Sequence, residues 1–204
     1  MIVWMEWLMA YKGGNNMAGN DKLIETTVSS EPVFSGKVIS LQIDAVKLPD
    51  GTTATREIVK HPGAVAVLAV HEGRLLLVDQ YRQAMGRCEM EIPAGKLEKG
   101  EDPAEAAVRE LQEETGYRCD KLTHLHSFYT SPGFADEIIH LYLAEQLTPG
   151  EMSLDADEFL EVQEATLEEA LDLIAEGRIA DAKTIMAVYI WQLRNARGSA
   201  GTGV

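Results

Sequence analysis

The chain has 204 residues, 46% hydrophobic and 25% charged, the make-up of an ordinary globular protein with a sizeable core rather than of a collagen-like, disulfide-stapled or wholly disordered chain. Its length suits one large domain, or one domain with a small appendage. Because 33 acidic residues stand against 18 basic ones, for a formal charge of −15, a nucleic-acid partner is not expected, and a phosphorylated anionic substrate would need divalent cations to approach.

Residues 1–11 are apolar but contain Glu6, lack a basic leader and fall short of the ~20 residues of a membrane span, so neither secretion nor a membrane is expected. Gly13, Gly14, Asn15 and Asn16 then break the chain before Met17, a second candidate initiator. Residues 1–20 read as a disordered extension or, alternatively, as a docking tail carrying Trp4 and Trp7. Cys88 and Cys119 lie far apart with no CxxC or Cys/His cluster, which fits a reducing, cytoplasmic setting and no zinc or disulfide framework.

Residues 21–60 read as short strands. Residues 37–46 alternate apolar and polar, the turn Pro49-Asp50-Gly51 follows, and residues 53–59 return, which predicts a small antiparallel sheet. After His61-Pro62-Gly63, residues 64–70 are apolar throughout, and Glu72-Gly73 separates them from residues 74–78, a hairpin of core strands. A loop over 83–87 and a short strand over 89–92 come next.

A helix is then punctuated at both ends. Asp102 serves as N-cap, Pro103 as first helical residue and Glu105 as capping-box partner, while Gly116 stops it, so the helix spans residues 103–115. Strands follow over residues 122–130 and 137–144, and helices over 167–176 and 182–196, with Gly177 between the two helices. Residues 194–204 close the chain as a Gly/Ala/Ser-rich tail, expected to be disordered.

The acidic focus of the sequence is residues 95–117, GKLEKGEDPAEAAVRELQEETGY. Glu110, Glu113 and Glu114 stand at i, i+3 and i+4 on one helix face, with Ala104, Ala107, Val108 and Leu111 as the opposite apolar stripe. Three like charges on one face repel one another and raise each other's pKa unless a cation sits among them, and hard oxygen ligands suit Mg²⁺ or Mn²⁺. The plainer reading is a solvated acidic face with Arg109 as an ion-pair partner.

The spacing decides between them. Gly95, Glu101 and Arg109-Glu110-Leu111-Gln112-Glu113-Glu114-Thr115-Gly116 fill every fixed position of a long signature that resembles the Nudix box of the Nudix hydrolase family; Tyr117 stands at a usually aliphatic final position. The resemblance implies an α/β fold, a mixed sheet sandwiched between helices, whose box binds divalent metal and hydrolyses a nucleoside diphosphate linked to another group. It assigns Glu110, Glu113 and Glu114 as metal carboxylates, Arg109 and Glu101 as the pair that orients them, and the carbonyl of Ala94 as a further ligand. A diphosphate repels hydroxide, so metals must neutralise it and activate water, and one more carboxylate must handle that water.

Outside the box, Ser131-Pro132-Gly133, Glu91-Ile92-Pro93-Ala94-Gly95 and Gln80-Tyr81-Arg82 resemble the ADP-ribose pyrophosphatase branch. This implies hydrolysis of ADP-ribose to AMP and ribose 5-phosphate with Mg²⁺, the alternatives being another nucleoside diphosphate sugar such as ADP-glucose or GDP-mannose, or an ADP-ribose-sensing module without turnover. It also implies an N-terminal β subdomain, residues 21–60, that pairs two subunits into a homodimer, beside a hydrolase domain over residues 61–193. Arg56, Glu57, Arg82, Ser131, Gly133 and Glu137 fall on its substrate contacts, with Phe34 as a base-stacking residue. Arginine can fork onto diphosphate oxygens, glutamate can accept from ribose hydroxyls, and an aromatic face can stack on adenine. Surface charges at Arg56 and Arg82, and a core role for Phe34, are the alternatives. The carboxylate that handles water is expected in the acidic loop over residues 154–161: Glu158, with Asp157 and Glu161 as rivals.

Overall fold

The structure, a computed structural model, describes residues 21–156 and 158–200. The expected extension over residues 1–20, Asp157 and residues 201–204 lie outside the described residues. Among the described residues the chain divides into two compact units, 21–35 with Leu41–Ile58, and Gly36–Ser40 with 59–200.

The N-terminal unit opens on a 3₁₀ turn, Asp21–Leu23, and is built on β1 (Thr26–Ser35), β2 (Ser40–Lys47) and β3 (Thr53–Lys60), paired in that order as a small antiparallel sheet. The β2–β3 turn closes where Asp50 and Gly51 predict it. Asp50 Oδ1 accepts from the Thr52 N–H at 2.9 Å and from its hydroxyl at 2.6 Å, and Gly51 takes φ +86°, a conformation that glycine adopts without strain. All ten residues of β1 are exposed, including Val28, Val33 and Phe34. Phe34 is therefore not a core residue of the chain.

The larger unit is organised on a mixed sheet with the path β10-β5-β4-β9-β8, to which β6 adds beside β5 and β7 beside β4. Its strands are β4 (Ala64–His71), β5 (Arg74–Arg82), β6 (Arg87–Glu91), β7 (Ala94–Lys96), β8 (Tyr117–Tyr129), β9 (Ile138–Pro149) and β10 (Leu160–Ala165). β4 and β9 run parallel, pairing Ala64 with Ile139 through Ala69 with Ala144. The apolar run of β4 is explained by cover on both faces. Val65, Val67 and Ala69 pack with Ala106, Ala107 and Leu111 of the helix α1 (Pro103–Thr115). Ala66 and Leu68 lie in the opposite cluster with Ala170, Ile179, Ala187, Val188 and Trp191, contributed by α2 (Leu167–Ala175), α3 (Ala182–Ala200) and the turn between them. The sheet thus lies between one helix and a pair, as the resemblance implies.

Three expectations change. Val108 is exposed and Ala106 fully buried in its place, because the helix turns its apolar stripe by one residue to put Glu110 and Glu114 inward. Asp102 caps α1 through the Ala104 N–H at 2.8 Å, and the reciprocal capping box is found at α2, between Thr166 and Glu169. The last helix continues through Ala200, so the chain past residue 194 begins as helix.

Candidate active site

Two short stretches converge here: β7 with the turn before it, and the buried side of α1. Glu110 and Glu114 are 8% and 2% exposed, an unusual depth for carboxylates. Each has a backbone reason to be there. A β-carbon at Gly95 would lie 1.9 Å from Glu110 Cδ, so only glycine lets this carboxylate rest against the strand. Glu114 Oε2 accepts from the Ala94 N–H at 2.9 Å.

Arg109 gathers the remaining charge. Its Nε and Nη2 fork onto Glu101 at 2.9 and 3.1 Å, and Nη1 donates to Glu110 at 2.8 Å and to Glu113 at 2.9 Å. Glu101 in turn accepts from the Glu98 N–H at 2.9 Å, closing the loop ahead of the helix. The hydrogen bond to Arg109 is the leading reason that Glu101 titrates below the usual carboxylate range. A planar guanidinium can serve three carboxylates in this way where an ammonium cannot.

Compensation is incomplete deeper in. Burial pushes Glu110 upward against the pull of Arg109, aided by the charges of Glu113 and Glu158. Burial likewise pushes Glu114 up to about 8, opposed by the Ala94 N–H and by Arg82 but reinforced by Glu110 and Glu158. Among the described residues no three His, Cys, Asp or Glu side chains already form a closed ligand cage. The donors fit a divalent cation all the same: they are oxygen only, inward facing and short of positive charge. Glu158 is exposed, its N–H donates to Asp155 O at 3.0 Å, and its charge is felt by both buried carboxyls. Its rival Glu161 lies on β10 opposite Asp79, in a strand rather than a loop.

The other candidate residues fall in separate places. Arg82 forks onto Glu91 at 2.6 and 2.7 Å. The carbonyl of Ser131 accepts from Phe134 N–H at 3.0 Å and Ala135 N–H at 2.9 Å, shaping a turn in which Gly133 borders open space. Glu137 accepts from the Thr130 hydroxyl at 2.6 Å and lies 3.6 Å from His61 Nδ1. Within the N-terminal unit, Arg56 pairs through Nε and Nη2 with Glu25 at 2.9 and 2.5 Å, while Glu57 is exposed. Sequence reasoning passed over the partners of these residues. Asp136, which accepts from Lys60 and from the His61 N–H, both at 2.9 Å, gave no signal. Glu91 stood in a quoted motif yet received no role.

This sheet between helices, with a carboxylate helix capped by a glycine-bearing strand, defines a Nudix protein: residues 59–188 match the NUDIX domain, and the chain belongs to that family. Residues 25–59 match the nucleoside diphosphate sugar hydrolase N-terminal domain. The chain is 56% identical over 177 residues to the ADP-ribose pyrophosphatase of Bacillus subtilis (strain 168), covering 85% of this chain and 96% of that one. It is 55% identical over 175 residues to the methanol dehydrogenase activator of Bacillus methanolicus, covering 84% and 95% respectively. A GDP-mannose pyrophosphatase of Yersinia enterocolitica serotype O:8 / biotype 1B is 36% identical over 149 residues, 68% of this chain and 78% of the relative. The fold is shared with a solved ADP compounds hydrolase at a TM-score of 0.76 and 22% identity, over 86% of this chain and 97% of that one.

Proposed function

We propose that this protein hydrolyses the diphosphate of ADP-ribose to AMP and ribose 5-phosphate with Mg²⁺. The observation that carries the reading is the pair of inward carboxylates, Glu110 against Gly95 and Glu114 on Ala94 N–H, in a chain 56% identical to an ADP-ribose pyrophosphatase. Glu110, Glu113, Glu114 and the carbonyl of Ala94 would hold the metal, which supplies neutralisation of the diphosphate and activation of water. Arg109 keeps three carboxylates in one arrangement through Glu101. Glu158, exposed and electrostatically linked to the buried pair, accepts the proton of the attacking water. Arg82 offers N–H donors to the diphosphate, and Ser131, Gly133 and Glu137 line the sugar side.

Phe34, Arg56 and Glu57 are carried by the N-terminal unit as further substrate contacts. The wholly exposed β1, with Val28, Val33 and Phe34 outward, supports pairing of that unit with a second copy in a homodimer. No helix among the described residues is long and apolar enough to cross a membrane, and the free thiols Cys88 and Cys119 support a cytoplasmic setting.

A turnover panel of ADP-ribose, ADP-glucose and GDP-mannose, with and without Mg²⁺, tests the reading. Metal-dependent AMP release chiefly from ADP-ribose, lost in Glu114→Gln with the fold unchanged, is the expected result. Preference for GDP-mannose would refute the substrate, and tight ADP-ribose binding without turnover would refute hydrolysis. The 55% identity to a methanol dehydrogenase activator favours a second reading, activation of an alcohol dehydrogenase. It is tested by adding the chain and its Glu114→Gln variant to such an enzyme.

A further inference from the structure

Glu91 ends β6, and its side chain is 3% exposed. It accepts two hydrogen bonds from Arg82, to Nε at 2.6 Å and to Nη2 at 2.7 Å, and a third from the buried ammonium of Lys183. Lys183 stands in the first turn of α3 and also donates to Asp181 Oδ1 at 3.0 Å. That same oxygen accepts from the Thr184 N–H at 3.1 Å, at the N-terminus of the helix. Thr184 Oγ1 accepts from the Ile92 N–H at 3.0 Å, and two residues later the Ala94 N–H meets Glu114. Glu91 therefore sits where α3, the edge of the sheet and the carboxylate site are joined.

The guanidinium geometry gives this a chemical meaning. Arginine carries five N–H donors in a plane, and a side-on fork to Glu91 uses Nε and one hydrogen of Nη2. The other three have no protein partner among the described residues, and the side chain is 40% exposed, so its outer edge is free for an anion. The charges of Glu114 and Asp181 also act on Arg82, so the guanidinium lies within electrostatic reach of the carboxylate site. Two cations on one carboxylate leave it no alternative rotamer that keeps its bonds, and burial makes an unbonded carboxylate costly.

We propose that Glu91 is a positioning residue: it fixes Arg82 so that the outer N–H edge faces the substrate diphosphate, and Lys183 fixes Glu91 in turn. The proposal rests on the ADP-ribose reading for the identity of the anion. A long, flexible arginine without this lock must be ordered by the substrate at each binding event, which weakens binding rather than the chemical step.

The test is a double-mutant cycle on the full chain, Glu91→Gln and Lys183→Gln each made with Arg82 and with Arg82→Ala. It is read as kcat, KM and the dissociation constant of ADP-ribose, with thermal midpoints alongside. With Arg82 present, Glu91→Gln should raise KM and the dissociation constant at least tenfold and change kcat less than threefold; with Arg82→Ala the further change should be under twofold. Equal losses in both backgrounds would overturn the proposal, as would a loss confined to kcat. If Glu91→Gln does not fold, the Lys183→Gln arm decides by the same comparison at a smaller amplitude, about threefold. If the wild-type chain prefers another diphosphate, the substrate reading has failed on its own, and the cycle is read with that compound.

Discussion

The carboxylate of Glu110 occupies the place that a β-carbon on Gly95 would take, 1.9 Å from the carboxyl carbon. The glycine is there for space. Substituting Gly95→Ala forces Glu110 out of its seat and away from Arg109, and overpacking of this kind costs about 1–3 kcal/mol. Turnover should fall at least tenfold, and the Mg²⁺ concentration for half-maximal activity should rise. Unchanged metal dependence, measured by titration of initial rates, would show that Glu110 need not rest against the strand.

Arg109 has its own sharp prediction, because one guanidinium bonds Glu101, Glu110 and Glu113. Arg109→Lys keeps the charge but cannot fork onto Glu101 while reaching both other carboxylates. Activity should drop at least thirtyfold, with a loss in stability of about 1 kcal/mol or more, since hydrogen bonds to charged groups contribute ~1.5–3 kcal/mol each. Urea unfolding and steady-state kinetics read the two effects separately, and a fully active lysine variant would refute the role of the planar fork.

Thr184 is fully buried, and its hydroxyl is the acceptor for the Ile92 N–H. Replacement by valine keeps the shape and leaves that amide unpaired in the interior, a change worth ~1–3 kcal/mol. The variant should unfold at correspondingly lower urea with an unchanged slope. A valine variant as stable as the parent would mean that the amide finds another acceptor.

Asp136 provides the pH test. Burial works to raise its carboxyl, yet Lys60 and the His61 N–H hold it below the ordinary value of 3.8. A depressed folded pKa means stability that is present above pH 3.8 and is lost as pH falls through the lower, folded value. Asp136→Ala should therefore cost about 1 kcal/mol at pH 7, a figure kept small because the side chain is 41% exposed and its ion pair is screened by solvent. The difference from the parent should close once pH has fallen below that folded value. A gap that persists at that pH, followed by thermal unfolding, would rule out ionisation as its source.

How much of this was legible depends on how local each cause is. The bounds of α1 followed from Asp102, Pro103 and Gly116, whose effects reach only a few residues, and the carboxylates proposed to hold metal were singled out by their spacing on that helix together with the family resemblance. β10 was not legible: Leu160–Ala165 carries two glutamates, Glu161 and Glu164, in six residues and merges with the acidic loop before it. Only its pairing with β5 makes it a strand. Val108 misled because alanine at 106 and valine at 108 both suit a helix interior, and the choice between them was made by the depth of Glu110 and Glu114. The partnership of Glu91 with Lys183 joins residues 92 apart, which no periodicity encodes.

Between β6 and β7 the backbone makes three commitments in three residues: Ile92 N–H to Thr184, Pro93 O to the Val67 N–H, and Ala94 N–H to Glu114. An inserted or deleted residue there would put a helix, the central sheet and the acidic helix out of step at once. The turns at Gly73 and Gly86 have open space around them. Changes in chain length among homologues should therefore collect at those turns and spare residues 92–94, whatever happens to the side chains there.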